Sequence, residues 1–463
     1  MLLRFYPLSV VCCTINLVLS ERFYALETRY IDVPVTHFDW RYQTDTFKLR
    51  YMVGSRGIDD SGPIFAYIGG SGDITVYSRN SGYVFEIAKA FKASVVFIEH
   101  RYYGRSFPFE SDSLSKKNMR FLSTREVLAD IVLVINHLRK SSTGEQRQVV
   151  AFGGGYGGTL AAWLRVKYPF LITGAIASSA PMAFSTMVKS CDCFYEKITE
   201  GFRRYGGEQC VRTIKLGWDV VINLSKTKLG LDFLSTTWKL CRDLKSIKDI
   251  NLLLDWLTKV YVDLSVNNYH YPTDFFVPLP AYPVKLFCNK LTTSFANDTK
   301  GLIEYFGEAL QIYTNYTRKV VCNEFETAAE YAFKFQRCAE LVMPVCSVES
   351  DMFINRDWSY RTFSAECGER FGIGDATRDR VVREYGENLE HSSNVLFVNG
   401  EMDPYSCYSF SSNASASIRS FEILDGPHHV EMRSPDVSDN NYIVNARNMY
   451  VEAVRSWLKG SGR

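Results

Sequence analysis

The chain has 463 residues, of which 46% are hydrophobic, 14% aromatic and 22% charged; this excludes general disorder and exceeds what one hydrophobic core accommodates. Lys and Arg number 53 against 51 Asp and Glu, a net charge of +2, so no global positive field exists to hold nucleic acid or an anionic membrane surface. Function must lie in local sites.

Residues 1–20 carry one positive charge at Arg4, a short apolar run broken by Thr14 and Asn16, and the small Ser20 before Glu21. This reads as a cleavable secretory signal; an uncleaved anchor would need a longer and less polar run, ~20 residues. No membrane span is expected after cleavage. Two of the twelve cysteines fall in the signal, leaving ten, an even number that fits an oxidising compartment. Four sequons agree with that compartment, at Asn223, Asn297, Asn315 and Asn413. Short apolar runs at 64–68, 95–98, 149–152, 395–398 and 421–424 read as strands buried on both faces. A helical pattern over 124–140, with Thr124 able to cap it, lies between them, so the flanks predict an α/β unit with a parallel sheet. Nine of the ten remaining cysteines fall between Cys191 and Cys367, where the patterns at 250–263 and 328–341 are helical. The expected organisation is a signal (1–20), a first core part (21–185), a disulfide-stapled, mostly helical insertion (186–385) and a second core part (386–463). The second part closes with a helix over 442–459 whose Ile443, Ala446, Met449, Ala453 and Trp457 share one face.

Residues 152–169 run from a strand through a glycine-dense turn into a helix. Gly153, Gly155 and Gly158 satisfy the G-x-G-x-x-G of dinucleotide binding, but that chemistry wants an acidic residue about 20 positions on, and none occurs between Thr159 and Cys191. The same turn fits a nucleophile elbow, G-x-S-x-G, with Gly155 at the serine position. In that arrangement an acid and a histidine follow later strands. Asp403 follows the run at 395–398, and His428 and His429 follow the run at 421–424. A zinc site at the paired histidines lacks any H-E-x-x-H or C-x-x-C support. No cofactor is expected.

These residues carry a resemblance. The segments 33–38, 99–104 (Glu-His-Arg-Tyr-Tyr-Gly), the elbow with Leu160 to Trp163, 177–181 (Ala-Ser-Ser-Ala-Pro), 343–346 (Met-Pro-Val-Cys), 399–404 (Asn-Gly-Glu-Met-Asp-Pro) and His428-His429 are similar to those of the lysosomal and secreted serine exopeptidases that include prolylcarboxypeptidase and dipeptidyl peptidase II. The resemblance spans nearly the whole mature chain. It implies an α/β-hydrolase core with a helical insertion, and an Asp403–His428 pair serving a nucleophile at 155. It also implies an oxyanion hole from the N–H groups of Tyr156 and of Gly70 in the 69–73 loop, where the family usually has an acidic residue in place of Ser71. Glycine at 155 departs from the family serine and predicts a folded but inactive homologue. Thr159, Ser178 and Ser179 are poor substitutes for that serine. An active prolyl-specific peptidase and a secreted structural glycoprotein are the alternatives. The resemblance further implies peptide ligands with proline next to the scissile bond, in a pocket that includes Met343, Tyr405 and Thr159. Lys334 stands where aminodipeptidase members can carry an acid, and a lysine there would attract a carboxylate instead. A homodimer is admitted, and the destination is secretion or the lysosome. The implied disulfides are Cys210–Cys288, Cys241–Cys322, Cys338–Cys367 and Cys191–Cys346, with Cys193 and Cys407 left open to pair or stay free.

Overall fold

In a computed structural model of the chain, the described residues are 25–42, 44–54, 61–140, 146–291, 298–374, 379–386, 389, 392–413 and 415–460. The segment 1–20, expected to be a signal, and Asn297 lie outside them. Eight strands form one sheet: β1 (Glu27–Pro34), β2 (Thr46–Gly54), β3 (Ile64–Ile68), β4 (Ser94–Ile98), β5 (Val149–Gly154), β6 (Gly174–Ser178), β7 (Val395–Gly400) and β8 (Ile418–Ile423). Their order is β1-β2-β4-β3-β5-β6-β7-β8. The first two strands make an antiparallel hairpin and β2 joins β4 antiparallel; every later pairing is parallel. Parallel strands need crossovers, and helices on both faces supply them. This eight-stranded crossover sheet is the core of an α/β-hydrolase.

Strands β3, β4, β5 and β7 are buried at every position, which is why their sequences are unbroken apolar runs. Three strands escaped that pattern. In β1 the first four residues are exposed, so its Glu-Thr-Arg-Tyr start is polar. In β2 charged residues alternate with apolar ones at its start. The short β6 is Gly-Ala-Ile-Ala-Ser, built of small residues because the sheet centre is crowded; a Cβ at Gly174 would stand 2.2 Å from the Trp457 ring. The last strand is not the doubly buried run expected at 421–424: it begins at Ile418 and ends at Ile423, only those two residues are buried because it lies at the sheet edge, and Leu424 falls outside it, 40% exposed.

Helices α1 (Ile74–Asn80) and α2 (Gly82–Phe91) follow β3, and α3 (Thr124–Leu138) follows β4. The cap of α3 is Ser123, whose hydroxyl accepts from the Glu126 N–H. Thr124, expected as the cap, instead donates its N–H and its hydroxyl to Glu340. Helix α4 (Tyr156–Lys167) follows β5 directly. Between β6 and β7 run α5 (Cys193–Gly206), α6 (Glu208–Leu224), α7 (Lys228–Thr237), α8 (Ile247–Val266), α9 (Pro283–Asn289), α10 (Thr299–Thr314), α11 (Ala328–Ala339), α12 (Tyr360–Phe371) and α13 (Arg380–Tyr385). Helix α14 (Asn441–Gly460) follows β8. One apolar cluster is continuous from a face of the sheet into these central helices, through residues such as Leu160, Phe184, Phe194 and Phe335. A second cluster packs the other face against α1, α2 and α14.

All four implied disulfides are present, and the two cysteines left open pair with each other. Cys193–Cys407 ties the start of α5 to the 3-10 turn Pro404–Tyr408. That turn follows Asp403 at the C-terminal end of β7. The staple therefore fixes the loop that carries the candidate acid.

Candidate active site

The site is assembled at the C-terminal ends of β5, β7 and β8. Strand β5 ends at Gly154, and Gly155 turns the chain into α4 with φ +57° and ψ −130°. Glycine adopts this region without the Cβ clash that penalises other residues. The Gly155 N–H donates to the Ser178 carbonyl at 2.9 Å, and its own carbonyl accepts from Gly158 and Thr159. The turn is close-packed as well: a Cβ at Gly157 would lie 2.4 Å from the Ile68 carbonyl oxygen. Glycine there lets the Gly69-Gly70 loop rest against the first turn of α4. Among the described residues, the N–H groups of Gly70 and Tyr156 make no hydrogen bond.

Asp403 is fully buried, and its Oδ2 accepts a hydrogen bond from His428 Nδ1–H at 2.8 Å. Its Oδ1 accepts from the Tyr405 N–H at 3.0 Å. With Nδ1–H directed at the carboxylate, His428 Nε2 is left with its lone pair, facing position 155. A Cβ built on Gly155 would stand 3.0 Å from that nitrogen. The backbone of His428 is held in turn by the Tyr269 hydroxyl, which donates to its carbonyl at 3.0 Å. The structure thus brings together positions 155, 403 and 428 from three separate strand ends.

The paired histidines differ in their surroundings. His429 has φ +35° and takes the Ser179 hydroxyl as acceptor for its N–H at 2.8 Å. Its ring meets Phe275 edge to face, and burial holds its imidazole well below the usual histidine range, hence neutral. No group of three or more His, Cys, Asp or Glu stands close enough to hold a metal ion among the described residues.

The other hydroxyls near the elbow are committed. Thr159 is fully buried and donates to the Pro181 carbonyl at 2.7 Å. Ser178 donates to Glu431, and Ser179 is held by His429. Tyr405 stands beside His428 with ring centroids 5.3 Å apart, and Phe194 closes on its other side at 5.2 Å. Met343 is buried, and the Tyr408 hydroxyl donates to the Pro344 carbonyl at 2.8 Å, tying that segment to the Asp403 turn. Lys334 does not offer a free cation. Its ammonium pairs with Glu326 at 2.7 Å, which Arg370 also binds, and the carboxylate-binding role expected from the sequence has no support in this geometry.

A buried network behind the elbow was not legible from the sequence as a site. His100 Nδ1–H donates to the Arg101 carbonyl at 2.6 Å, leaving Nε2 to accept from the Tyr156 hydroxyl at 3.2 Å. Burial pushes the His100 imidazole down to about 4, so it is neutral. Gln336 on α11 donates to the Tyr156 hydroxyl at 2.9 Å and accepts from that of Tyr103 at 2.6 Å. The residue that opens α4 is therefore braced by the central helices. Four residues on, Glu340 receives Thr124 from α3, and burial raises its carboxyl to about 7.

That carboxyl has a stability consequence. Its folded pKa lies above the unfolded value, so between about pH 4.5 and 7 the folded state holds more of this proton than the unfolded state does. Its contribution is fully present at acidic pH and is lost as pH rises through 7. Urea melts at pH 5 and pH 7.5 are expected to show a decline in stability that Glu340→Gln reduces. An unchanged decline in the variant would remove Glu340 as its source.

A strand-to-helix turn beneath a histidine–aspartate pair, on this sheet, is the layout of an α/β-hydrolase. The chain belongs to the serine carboxypeptidase S28 family, whose model matches residues 34–450. It is 35% identical over 439 residues to the lysosomal Pro-X carboxypeptidase of Bos taurus, covering 93% of this chain and 87% of that one. The human protein of the same name is 34% identical over 439 residues, with 93% and 88% covered. The human thymus-specific serine protease is more distant, at 26% over 450 residues with 89% and 83% covered. The chain is thus a member of the family of serine exopeptidases to which the Pro-X carboxypeptidases belong. No helix among the described residues is long and apolar enough to cross a membrane. Five disulfides and the lysosomal relatives are consistent with a secreted or lysosomal protein.

Proposed function

We propose that this member of the family binds peptides in the inherited cleft without cleaving them. The observation that carries this reading is the glycine at 155: it presents no atom that could attack a carbonyl, while His428 Nε2 faces its position and Asp403 orients the imidazole. Asp403 and His428 are read as the acid and base of a triad that has lost its nucleophile. Gly70 and Tyr156 are read as the oxyanion donors, whose N–H groups would cradle a peptide carbonyl oxygen. Tyr405 and Phe194, with the segment at Met343, form the apolar wall we assign to a proline side chain of the ligand. Burial raises the Tyr405 phenol to about 12, so that wall is uncharged across the acidic and neutral range. N-linked glycans at Asn223, Asn315, Asn297 and Asn413 and a cleaved signal complete the reading.

A serine-directed fluorophosphonate separates binding from catalysis. The natural chain is expected to remain unlabelled, while calorimetry with peptides ending in Pro-X shows binding. Covalent labelling of the natural chain would establish an active peptidase instead. Absence of peptide binding at millimolar concentration would leave a structural glycoprotein.

A further inference from the structure

Between α10 and α11 the chain runs through an irregular segment, residues 315–327, that contains no helix or strand. Its two ends are tied down. Asn315 takes the Arg318 N–H on its carbonyl and the Val320 N–H on its Oδ1, both at 2.9 Å. At the other end Cys322 is bonded to Cys241. There Asn323 donates its N–H to the Lys239 carbonyl at 2.8 Å and accepts from the Cys241 N–H at 3.1 Å. Residues 316–321 between these anchors are all exposed, Val321 to 88%. At their centre is a basic pair, Arg318-Lys319, in which Arg318 has φ +58°. Neither side chain meets a carboxylate among the described residues.

The sequence holds three other adjacent pairs of Lys or Arg, and the fold engages each of them. Arg203-Arg204 is wound into α5, with ion pairs to Glu200, Glu208, Glu401 and Asp425. Arg139-Lys140 closes α3 and is bridged through the backbone to Gln146 and Arg147. In Lys116-Lys117 the Lys116 ammonium is anchored on the Glu369 carbonyl at 3.2 Å. An endoprotease takes its substrate as an extended segment, so a bond in a folded chain is cut only where the backbone can leave its place locally. The backbone hydrogen bonds of 316–321 both run to Asn315 and none reaches another element, so opening this turn breaks two bonds of modest net strength and no packed core.

We propose that this turn is a processing site, at which an endoprotease with an acidic specificity pocket cuts the Lys319–Val320 amide bond in the secretory or lysosomal compartment. One water is consumed: its oxygen completes the Lys319 carboxylate, and both its protons end on the Val320 ammonium. The products remain one molecule. Three disulfides cross the cut, Cys191–Cys346, Cys193–Cys407 and Cys241–Cys322. Strand β7 of the second product also pairs with β6 of the first. Position 155 then lies on one chain, with Asp403 and His428 on the other. The site is independent of whether the protein cleaves or only binds peptides.

Limited digestion of the full, disulfide-intact chain with trypsin is the first measurement. The earliest new N-terminus is expected at Lys319 or Val320, with one band on a gel without reductant and two with it. An earliest cut elsewhere, after Lys117 or Arg204 for example, overturns the proposal. The second measurement is N-terminal sequencing of the chain collected from a secretory cell line. A terminus reading Val-Val-Cys-Asn is expected there, and its absence overturns processing even if trypsin cuts the turn. Arg318→Gln combined with Lys319→Gln should abolish that terminus and leave the melting temperature unchanged, because neither side chain has a partner to lose. A Val320 terminus that persists in this variant counts against a protease directed by the basic pair.

Discussion

Gly155→Ser is expected to convert the protein into one that reacts with a fluorophosphonate and hydrolyses peptides, with turnover rising on the order of 10⁴–10⁶-fold over the natural chain. The size follows from what is already in place: a histidine with its lone pair toward position 155, an aspartate 2.8 Å from its other nitrogen, and the N–H groups of Gly70 and Tyr156, which make no hydrogen bond among the described residues. Asp403→Asn in the same background should then cost about 10⁴-fold, because an amide no longer fixes the tautomer that leaves Nε2 basic. The gain comes with a loss of stability. At φ +57° serine occupies a conformation that costs about 1–3 kcal/mol for a residue with a side chain. Its Cβ would also press His428 Nε2 at 3.0 Å, so the imidazole must yield by a few tenths of an ångström. Active-site titration and urea melts on the same preparation measure both effects. A folded, unlabelled variant would show that the histidine or the oxyanion donors are not competent, and the reading of the site as a triad without its nucleophile would fail.

The second large effect lies away from the chemistry. Arg101→Met should destabilise the fold by about 3–5 kcal/mol, the cost of leaving buried carboxylates without their cation. Arg101 is fully buried and grips Asp130 with two nitrogens at 2.6 and 2.7 Å. It also donates to the carbonyls of Val35 and Pro34, and lies 3.6 Å from Glu126. His37 and Thr36 complete the cluster on Asp130 and Glu126. This arrangement pins the segment after β1 to α3 and to the end of β4. Since the Arg101 carbonyl receives His100, disruption should reach Tyr156 and the elbow too. Equilibrium unfolding checks the claim, and a change under about 1 kcal/mol would mean that the remaining groups compensate one another.

Much of the site was readable because its parts are local. The elbow announces itself by glycine density between a buried strand and a helix. Asp403 and His428 each stand in the loop after an apolar run, in the order such a site requires. The network of His100, Gln336 and Glu340 was not readable as a site, since its members lie on β4's exit loop and α11, and their hydrogen bonds close across more than 200 residues of sequence. Tyr269 is equally silent: nothing near it in the sequence signals that its hydroxyl holds the His428 backbone.

The sequence by itself determined most of the buried strands, the elbow, the glycine at 155 and the even count of cysteines, because burial on both faces and backbone conformation write directly into residue type. Only the tertiary structure decided that Cys193 joins Cys407, since pairing depends on distance in space and not on spacing. The same holds for the β1–β2 hairpin and for β6: an exposed strand face need not be apolar, and a crowded strand must be small, so neither carries the pattern by which strands are recognised. Tertiary packing also decided that Lys334 faces a carboxylate of its own chain, Glu326. Composition counts charges in near balance; only the fold says which of them meet.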